Sequence, residues 1–344
     1  MVAQRIFLLL IMAGVTAVLT VTRPVPLAIG QSQELPAASG TLWVTNATTN
    51  NVAVFDAATG EVIAMIPVGI KPIGIQVPPD SGKVYVANES SNTVSVISKS
   101  SLSVVATIPT GPLPHHTAQS PDGKFVYVAE FGTNKIGVID TATDMLIAEF
   151  VTGPPEARTH ALWVTQDGQT LLAANQRVNQ VAALDASTGA IKWTLDVGNT
   201  PSDIVTSSSG KIGFVTLQGE DKVKLLDLEK PAILGEHRVG PRPTTMQLSP
   251  TGRWLVVSHG GSPAQTAIID LIEARVLSMM LSGTATQHNA MSASGRFSYV
   301  VIGGGAAPGV AVVDMTTQAV VATYPYPGGG APHGIFYEPA RICR

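Results

Sequence analysis

The sequence predicts an all-β fold, a seven-bladed β-propeller with four antiparallel strands in each blade. Three observations predict it. A repeat of about 42 residues occurs seven times along the chain, each copy holds four short runs of alternating apolar residues, and no helical period is found. Four strands in every copy of a repeat are typical of a propeller, in which each copy forms one blade.

The N-terminal 30 residues have the layout of a secretory signal. Arg5 precedes an apolar run at 6–19, and the small-x-small pattern Ala28-Ile29-Gly30 follows. The apolar run is shorter than the roughly 20 residues that a membrane span needs, and an uncleaved N-terminal anchor is the alternative. We therefore predict an exported protein, periplasmic or extracellular, with a signal peptide at 1–30, a linker at 31–40 and the propeller at 41–344.

The chain ends are predicted to meet in one blade. The first copy of the repeat, at 42–68, provides only three strands, and the missing innermost strand matches HGIFYEP at His333–Pro339. Such a three-plus-one closure, in which the C-terminal strand completes blade one, leaves no open sheet edge.

Composition excludes several classes of function. The formal net charge is −3 and no lysine or arginine run occurs, so no nucleic-acid partner is expected. The single cysteine, Cys343, excludes an internal disulfide, a cysteine zinc cage and a c-type haem attachment motif, and its role stays open. We expect a monomer.

The strings LWVTN at Leu42, VYVAN at Val84 and VYVAE at Val126 carry a family resemblance. With SPDGK before one of them, they resemble the YVTN-type seven-bladed propellers of exported bacterial and archaeal proteins, over the whole chain after the signal segment. The resemblance implies the fold, whereas propellers of this kind host binding, scaffolding and catalysis alike.

The histidines are concentrated at one mouth of the predicted central channel. Aligning the seven linkers places three positions of each blade there, two that open the innermost strand and one that ends the second strand. Only His237, on an outer strand, falls elsewhere. The six histidines at the aligned positions are His115, His116, His160, His259, His288 and His333.

Neutral imidazoles that converge from different blades are ligands for copper, zinc or haem iron, and we treat these six as candidate metal ligands. Other polar side chains at the same positions are expected to line the channel or to orient ring nitrogens. They are Glu130, Asp203, Gln287, Asn46, Asn88 and Asn175. The sequence thus predicts a binding or scaffold module whose channel mouth takes a metal, a cofactor, a small ligand or a protein partner.

Two distant resemblances bear on the metal. The copper-cluster domain of nitrous oxide reductase and the haem domain of periplasmic nitrite reductase are similar propellers with histidines from inner strands. This chain has fewer aligned histidines than the first and lacks the c-type haem domain of the second, so both serve as geometric analogies.

Two alternatives stay open. The stretch from His115 to Ile136 also resembles seven-bladed lactonases, which would imply a general base such as His115 or Glu130 beside a cationic group. The nearest arginines, Arg158 and Arg177, lie outside the aligned positions. In the other alternative the protein is a structural or surface propeller whose histidines only line a wet channel.

Overall fold

The computed structural model describes residues 39–281 and 283–340, which form seven four-stranded antiparallel sheets. The predicted signal peptide and Cys343 lie outside these residues. Blade one contains β1 (Gly40–Asn46), β2 (Asn51–Asp56) and β3 (Val62–Pro67), and blade two contains β4 (Pro72–Gln76), β5 (Lys83–Asn88), β6 (Thr93–Ser98) and β7 (Ser103–Pro109). Blade three contains β8 (Pro114–Gln119), β9 (Phe125–Glu130), β10 (Lys135–Asp140) and β11 (Met145–Val151).

The remaining blades repeat this order from the channel outward. Blade four contains β12 (Thr159–Val164), β13 (Thr170–Asn175), β14 (Gln180–Asp185) and β15 (Ile191–Asp196), and blade five contains β16 (Pro201–Thr206), β17 (Ile212–Leu217), β18 (Lys222–Asp227) and β19 (Ala232–Arg238). Blade six contains β20 (Pro243–Leu248), β21 (Trp254–His259), β22 (Gln265–Asp270) and β23 (Arg275–Met280). Blade seven contains β24 (Ala285–Met291), β25 (Phe297–Gly303), β26 (Gly309–Asp314) and β27 (Ala319–Pro325). The last strand is β28 (Pro332–Pro339).

The second strand of each blade is apolar on both faces because it lies between two neighbouring blades. In β5, Val84, Tyr85, Val86 and Ala87 are all fully buried. The outer strand of the same blade, β7, is exposed over most of its length. The continuous apolar strings in the repeat are therefore core strands, and the core of the protein lies between the blades.

The predicted closure is confirmed. β28 pairs antiparallel with β1 as the innermost strand of blade one, with Trp43 opposite Phe336. The indole Nε1 of Trp43 donates to Glu338 at 3.1 Å, and Lys99 of blade two binds the same carboxylate at 2.7 Å. The two ends of the propeller are thus held in one sheet.

Every innermost strand carries a register shift where it begins. In blade three, Pro114 pairs with Glu130 while Thr117 pairs with Val128, so His115 and His116 share the space opposite Ala129. Successive side chains of a regular strand point to opposite faces, and a β-bulge of this kind re-aims them. The rings of His115 and His116 consequently stack, with centroids 5.0 Å apart and an angle of 6° between their planes.

Helical structure is confined to one 3-10 turn at Gln176–Val178 within the described residues. In that part of the chain, no helix has the length and apolar character that crossing a bilayer would require.

Candidate functional site

Five histidine rings meet in the central channel. We call this group, which consists of His115, His116, His160, His288 and His333, the five-histidine cluster. Ring centroids lie 4.6 Å apart for His115 and His160, 4.6 Å for His116 and His288, and 5.1 Å for His288 and His333. The rings form a continuous chain of contacts that spans the channel.

The cluster has two layers because the bulge presents two residues from each innermost strand. His115, His160 and His333 occupy the first of the two bulge positions, in blades three, four and one. His116 and His288 occupy the second, in blades three and seven. The two layers touch at two places: the ring of His116 lies 5.0 Å from that of His115 and 5.1 Å from that of His160, and the ring of His288 lies 5.1 Å from that of His333.

His259, the sixth histidine of the predicted ring, has no ring contact with the cluster. It ends β21 and is fully buried, and its Nδ1 lies 3.3 Å from the carbonyl oxygen of Gln265. The end of a second strand is not bulged as the start of an innermost strand is. The structure therefore brings five of the six predicted histidines together and holds His259 against β22.

The ring nitrogens of the cluster fit the donor set of a transition-metal site. Nδ1 of His115 and His333 and Nε2 of His116 and His288 are buried without a hydrogen-bond partner. His160 Nδ1 lies 2.6 Å from the carbonyl oxygen of Ser202, so as a donor it leaves Nε2 with a free lone pair. One nitrogen each from His115, His116 and His160 lies within 4.8 Å of the other two.

Burial holds the cluster in the neutral form that binds metals. It lowers the pKa of His160 to about 4, and burial together with the nearby His160 and Lys71 lowers the pKa of His333 to about 3. Burial, reinforced by the neighbouring imidazoles, lowers the pKa of each remaining ring well below 6.5. At neutral pH the rings are therefore uncharged ligands rather than cations.

Asp203 lies beside the cluster and faces His116, with Oδ1 4.0 Å from His116 Nδ1. Its two carboxylate oxygens accept hydrogen bonds from the backbone N–H groups of Ile204 at 2.9 Å and Met246 at 2.8 Å. Burial raises the pKa of Asp203 to about 7. The 4.0 Å separation is longer than a hydrogen bond, so the contact between Asp203 and His116 is electrostatic, and His116 Nε2 has no hydrogen-bond partner.

Most other predicted lining residues tie loops together instead of touching the cluster. Glu130 accepts a hydrogen bond from the backbone N–H of Gly111 at 3.0 Å, and Asn46 and Asn175 each donate to a loop carbonyl oxygen. Asn88 donates to Thr93 and Ser95. The backbone oxygen of Gln287 accepts a hydrogen bond from Thr245 at 2.8 Å.

Three residues beside the cluster were not predicted. Glu89 lies 3.6 Å from His115 Nε2 and binds Lys71 at 2.5 Å, and the ring of Phe131 packs on His115 and His160. Glu89 and Phe131 each stand one residue beyond the aligned end of a second strand. Extending the alignment by one position would have included both residues.

Neither of the two arginines named for the lactonase alternative pairs with a cluster histidine. The guanidinium of Arg158 lies over the Phe131 ring, 5.6 Å from its centroid, and Arg177 is exposed. Among the described residues, Lys71 is the only cation linked to a cluster histidine by a carboxylate. The Glu89 carboxylate contacts both Lys71 and His115.

The fold defines a class of protein, the seven-bladed β-propellers. Within that class, the chain belongs to the YNCE-like beta-propeller family, whose model matches residues 6–232. The predicted membership of a seven-bladed repeat-propeller family is thus confirmed. Among functionally curated proteins, none matches the chain in sequence.

Several solved structures share the fold. Hydrazine synthase from Kuenenia stuttgartiensis is 20% identical over 88% of this chain and 99% of its own, with a TM-score of 0.70. The dihydro-heme d1 dehydrogenase NirN in complex with DHE is 19% identical over 90% of this chain and 69% of its own (TM-score 0.65). A putative 6-phosphogluconolactonase from Bacteroides uniformis is 15% identical over 88% and 100% (TM-score 0.71). At these identities the likeness extends to the fold alone.

Proposed function

We propose that this propeller is an exported binding protein whose five-histidine cluster holds a divalent transition-metal ion, copper or zinc. The observation that carries the proposal is the set of buried ring nitrogens without hydrogen-bond partners, on His115, His116, His288 and His333. Leaving a buried polar atom unpaired costs about 1–3 kcal/mol, and a bound ion would satisfy several such atoms in one place. Imidazole nitrogens are suited to copper and zinc.

A bare ion fits the cluster better than haem iron does. Neighbouring ring centroids are only 4.6–5.1 Å apart along the chain of contacts from His115 to His333. A flat macrocycle would have to separate these rings, whereas an ion needs only the space at which their nitrogens converge. The ligands that we assign first are His115, His116 and His160, whose nitrogens lie closest together. His288 and His333 would complete the coordination.

Copper or zinc is expected to stabilise the folded protein, because an ion that binds only the folded state shifts the equilibrium by mass action. At a free metal concentration 100 times the Kd, the gain is about 2.7 kcal/mol. Replacing His115 and His160 together by alanine should abolish this gain. The measurement is the increase in melting temperature when CuCl2 or ZnCl2 is added to chelator-treated protein, with metal content determined in parallel.

Two single variants serve as matched controls. His237 lies on β19 and His259 is held against β22, so replacing either by alanine should leave the metal-induced increase unchanged. The increase is compared with each variant's own metal-free value, since both side chains are buried. Equal increases in the parent and in the His115→Ala/His160→Ala variant would contradict the proposal.

A further inference from the structure

A carboxylate with little exposure to solvent lies between a lysine and a ring of the five-histidine cluster. Glu89 stands one residue past the end of β5 and is 9% exposed. Its Oε1 accepts a hydrogen bond from the Lys71 ammonium group at 2.5 Å, and its Oε2 lies 3.6 Å from Nε2 of His115. The backbone N–H of Glu89 also donates to the carbonyl oxygen of Lys71 at 2.9 Å. The two contacts to Lys71 fix the position of the carboxylate.

The acid at this position belongs to blade two alone and is not part of the repeat pattern. The residue that follows the second strand carries a negative charge in one copy of the repeat only. In the other six copies it is Ala47, Phe131, Gln176, Gln218, Gly260 or Gly303. The fold therefore does not require a carboxylate here, and the contact of Glu89 with His115 needs another explanation.

Glu89 determines which nitrogen of His115 carries the proton. An N–H group that faces a carboxylate is attracted to it, whereas a nitrogen lone pair in the same place is repelled, and both effects are strong where little water is present. At 3.6 Å this is an electrostatic preference rather than a hydrogen bond. The proton of neutral His115 thus resides on Nε2. The lone pair is then on Nδ1, the nitrogen that is buried without a partner.

His160 occupies the equivalent position of the next blade and has the opposite arrangement. Its Nδ1 lies 2.6 Å from the carbonyl oxygen of Ser202, which places the proton on Nδ1 and the lone pair on Nε2. The two rings differ because different acceptors face them, a carboxylate for His115 and a backbone carbonyl for His160. His160 is therefore an internal reference for the effect of Glu89.

Lys71 acts in the opposite direction to Glu89. It shares the Glu89 carboxylate and so reduces the negative charge that His115 experiences. Burial is the main cause of the lowered pKa of His115 and of His333, and the charge of Lys71 contributes in both cases, so this charge acts on the cluster. A cation that lowers the proton affinity of these rings also opposes a metal ion bound to them.

We propose that Glu89 is a positioning residue for the metal ion and that Lys71 limits its effect. The Glu89 carboxylate holds the His115 proton on Nε2 and so presents the Nδ1 lone pair to the ion. This inference rests on the proposed metal site and names the two residues that regulate its affinity. Carboxylates that orient a metal-binding imidazole typically change the affinity about 10–100-fold.

The first test is titration of the chelator-treated protein with ZnCl2 in competition with a chelator of known affinity. Glu89→Leu should weaken zinc binding about tenfold or more at unchanged stoichiometry. Lys71→Met should strengthen it roughly threefold, and most of this gain should be absent in the Glu89→Leu/Lys71→Met variant. The matched control is Glu236→Leu, which removes the carboxylate of an ion pair with Lys222 at 2.6 Å on blade five and should change nothing.

The second test needs no metal. The ¹⁵N chemical shifts of the histidine rings report which nitrogen carries the proton. In the metal-free parent we expect the proton of His115 on Nε2 and that of His160 on Nδ1. Glu89→Leu should remove the preference of His115 and leave His160 unchanged.

The outcomes separate this inference from the proposed function. Equal zinc affinity in a folded Glu89→Leu protein and in the parent, or a His115 proton on Nδ1 in the parent, would overturn the role of Glu89 while the metal site stands. The expected tautomers in a protein that binds neither zinc nor copper would overturn the metal site, and the regulation of its affinity with it.

Discussion

A chain that ends at Pro332 is expected to lose cooperative unfolding and to aggregate. Such a chain lacks most of β28, which pairs with β1 and packs between β24 and β4. Its removal opens blade one on the channel side. The edge of β1, which was paired, and core side chains, which were buried, then become exposed. We expect a loss on the order of the 5–15 kcal/mol that stabilises a typical domain. Thermal unfolding and size-exclusion chromatography measure the effect.

The matched control for this truncation ends at Pro339 and keeps β28 whole, together with the ion pair between Lys99 and Glu338. It should unfold cooperatively at a temperature close to that of the parent. A monomeric protein with unchanged melting after removal of 333–344 would show that closure through β28 does not stabilise the ring.

The metal-free protein is expected to lose stability steeply as the pH falls from about 6.5 towards 4. In the folded state the pKa of every cluster histidine is depressed, to about 4 for His160 and about 3 for His333, chiefly by burial. In the unfolded chain each ring takes up a proton near its ordinary pKa of about 6.5. Between these values the unfolded state binds more protons, so acid favours unfolding.

Each ring that stays neutral in the folded state contributes about 1.4 kcal/mol of lost stability per pH unit in this window. Asp203 acts in the opposite direction, since burial raises its pKa to about 7 and the folded state gains a proton there. One carboxyl group offsets about one histidine, and the cluster has four more. Urea unfolding at a series of pH values between 7.5 and 4.5 measures how steeply the free energy of unfolding changes with pH.

The control for acid sensitivity replaces two cluster histidines by glutamine, which keeps a polar side chain but does not titrate. His115→Gln/His333→Gln should reduce the slope by about 2.7 kcal/mol per pH unit, twice the contribution of one ring. If the unfolding free energy of this variant falls with pH as steeply as that of the parent, the two rings titrate in the folded state with ordinary pKa values, and the prediction is wrong.

The fold was predictable from the sequence because the same pattern of short strands recurs in seven copies of the repeat. The run Val84–Ala87 has no polar break between its two faces, and only strands buried between neighbouring blades need that pattern. The closure was also predictable, since HGIFYEP at His333–Pro339 has the composition of the innermost strand that the first copy lacks.

The sequence predicts which repeat positions carry the histidines of the candidate site, but not the directions in which their rings point. Alignment places His115 and His259 in the same predicted ring, yet only His115 lies on a bulged segment that directs its ring into the cluster. Periodicity assigns residues to positions along a strand. The register shift that brings the rings of His115 and His116 onto one side depends on how β8 pairs with β9. The sequence pattern alone does not specify that pairing.

The register shift at the start of every innermost strand has a consequence for design. The two adjacent positions of this shift hold histidine in blades one, three, four and seven, and these are the histidines of the five-histidine cluster. In blade six the first of these positions is Thr244, which is only partly buried, so Thr244→His is the substitution by which a further donor could be added to the channel. Each blade thus contributes one pair of equivalent positions next to the channel, so the set of metal ligands can be changed one blade at a time.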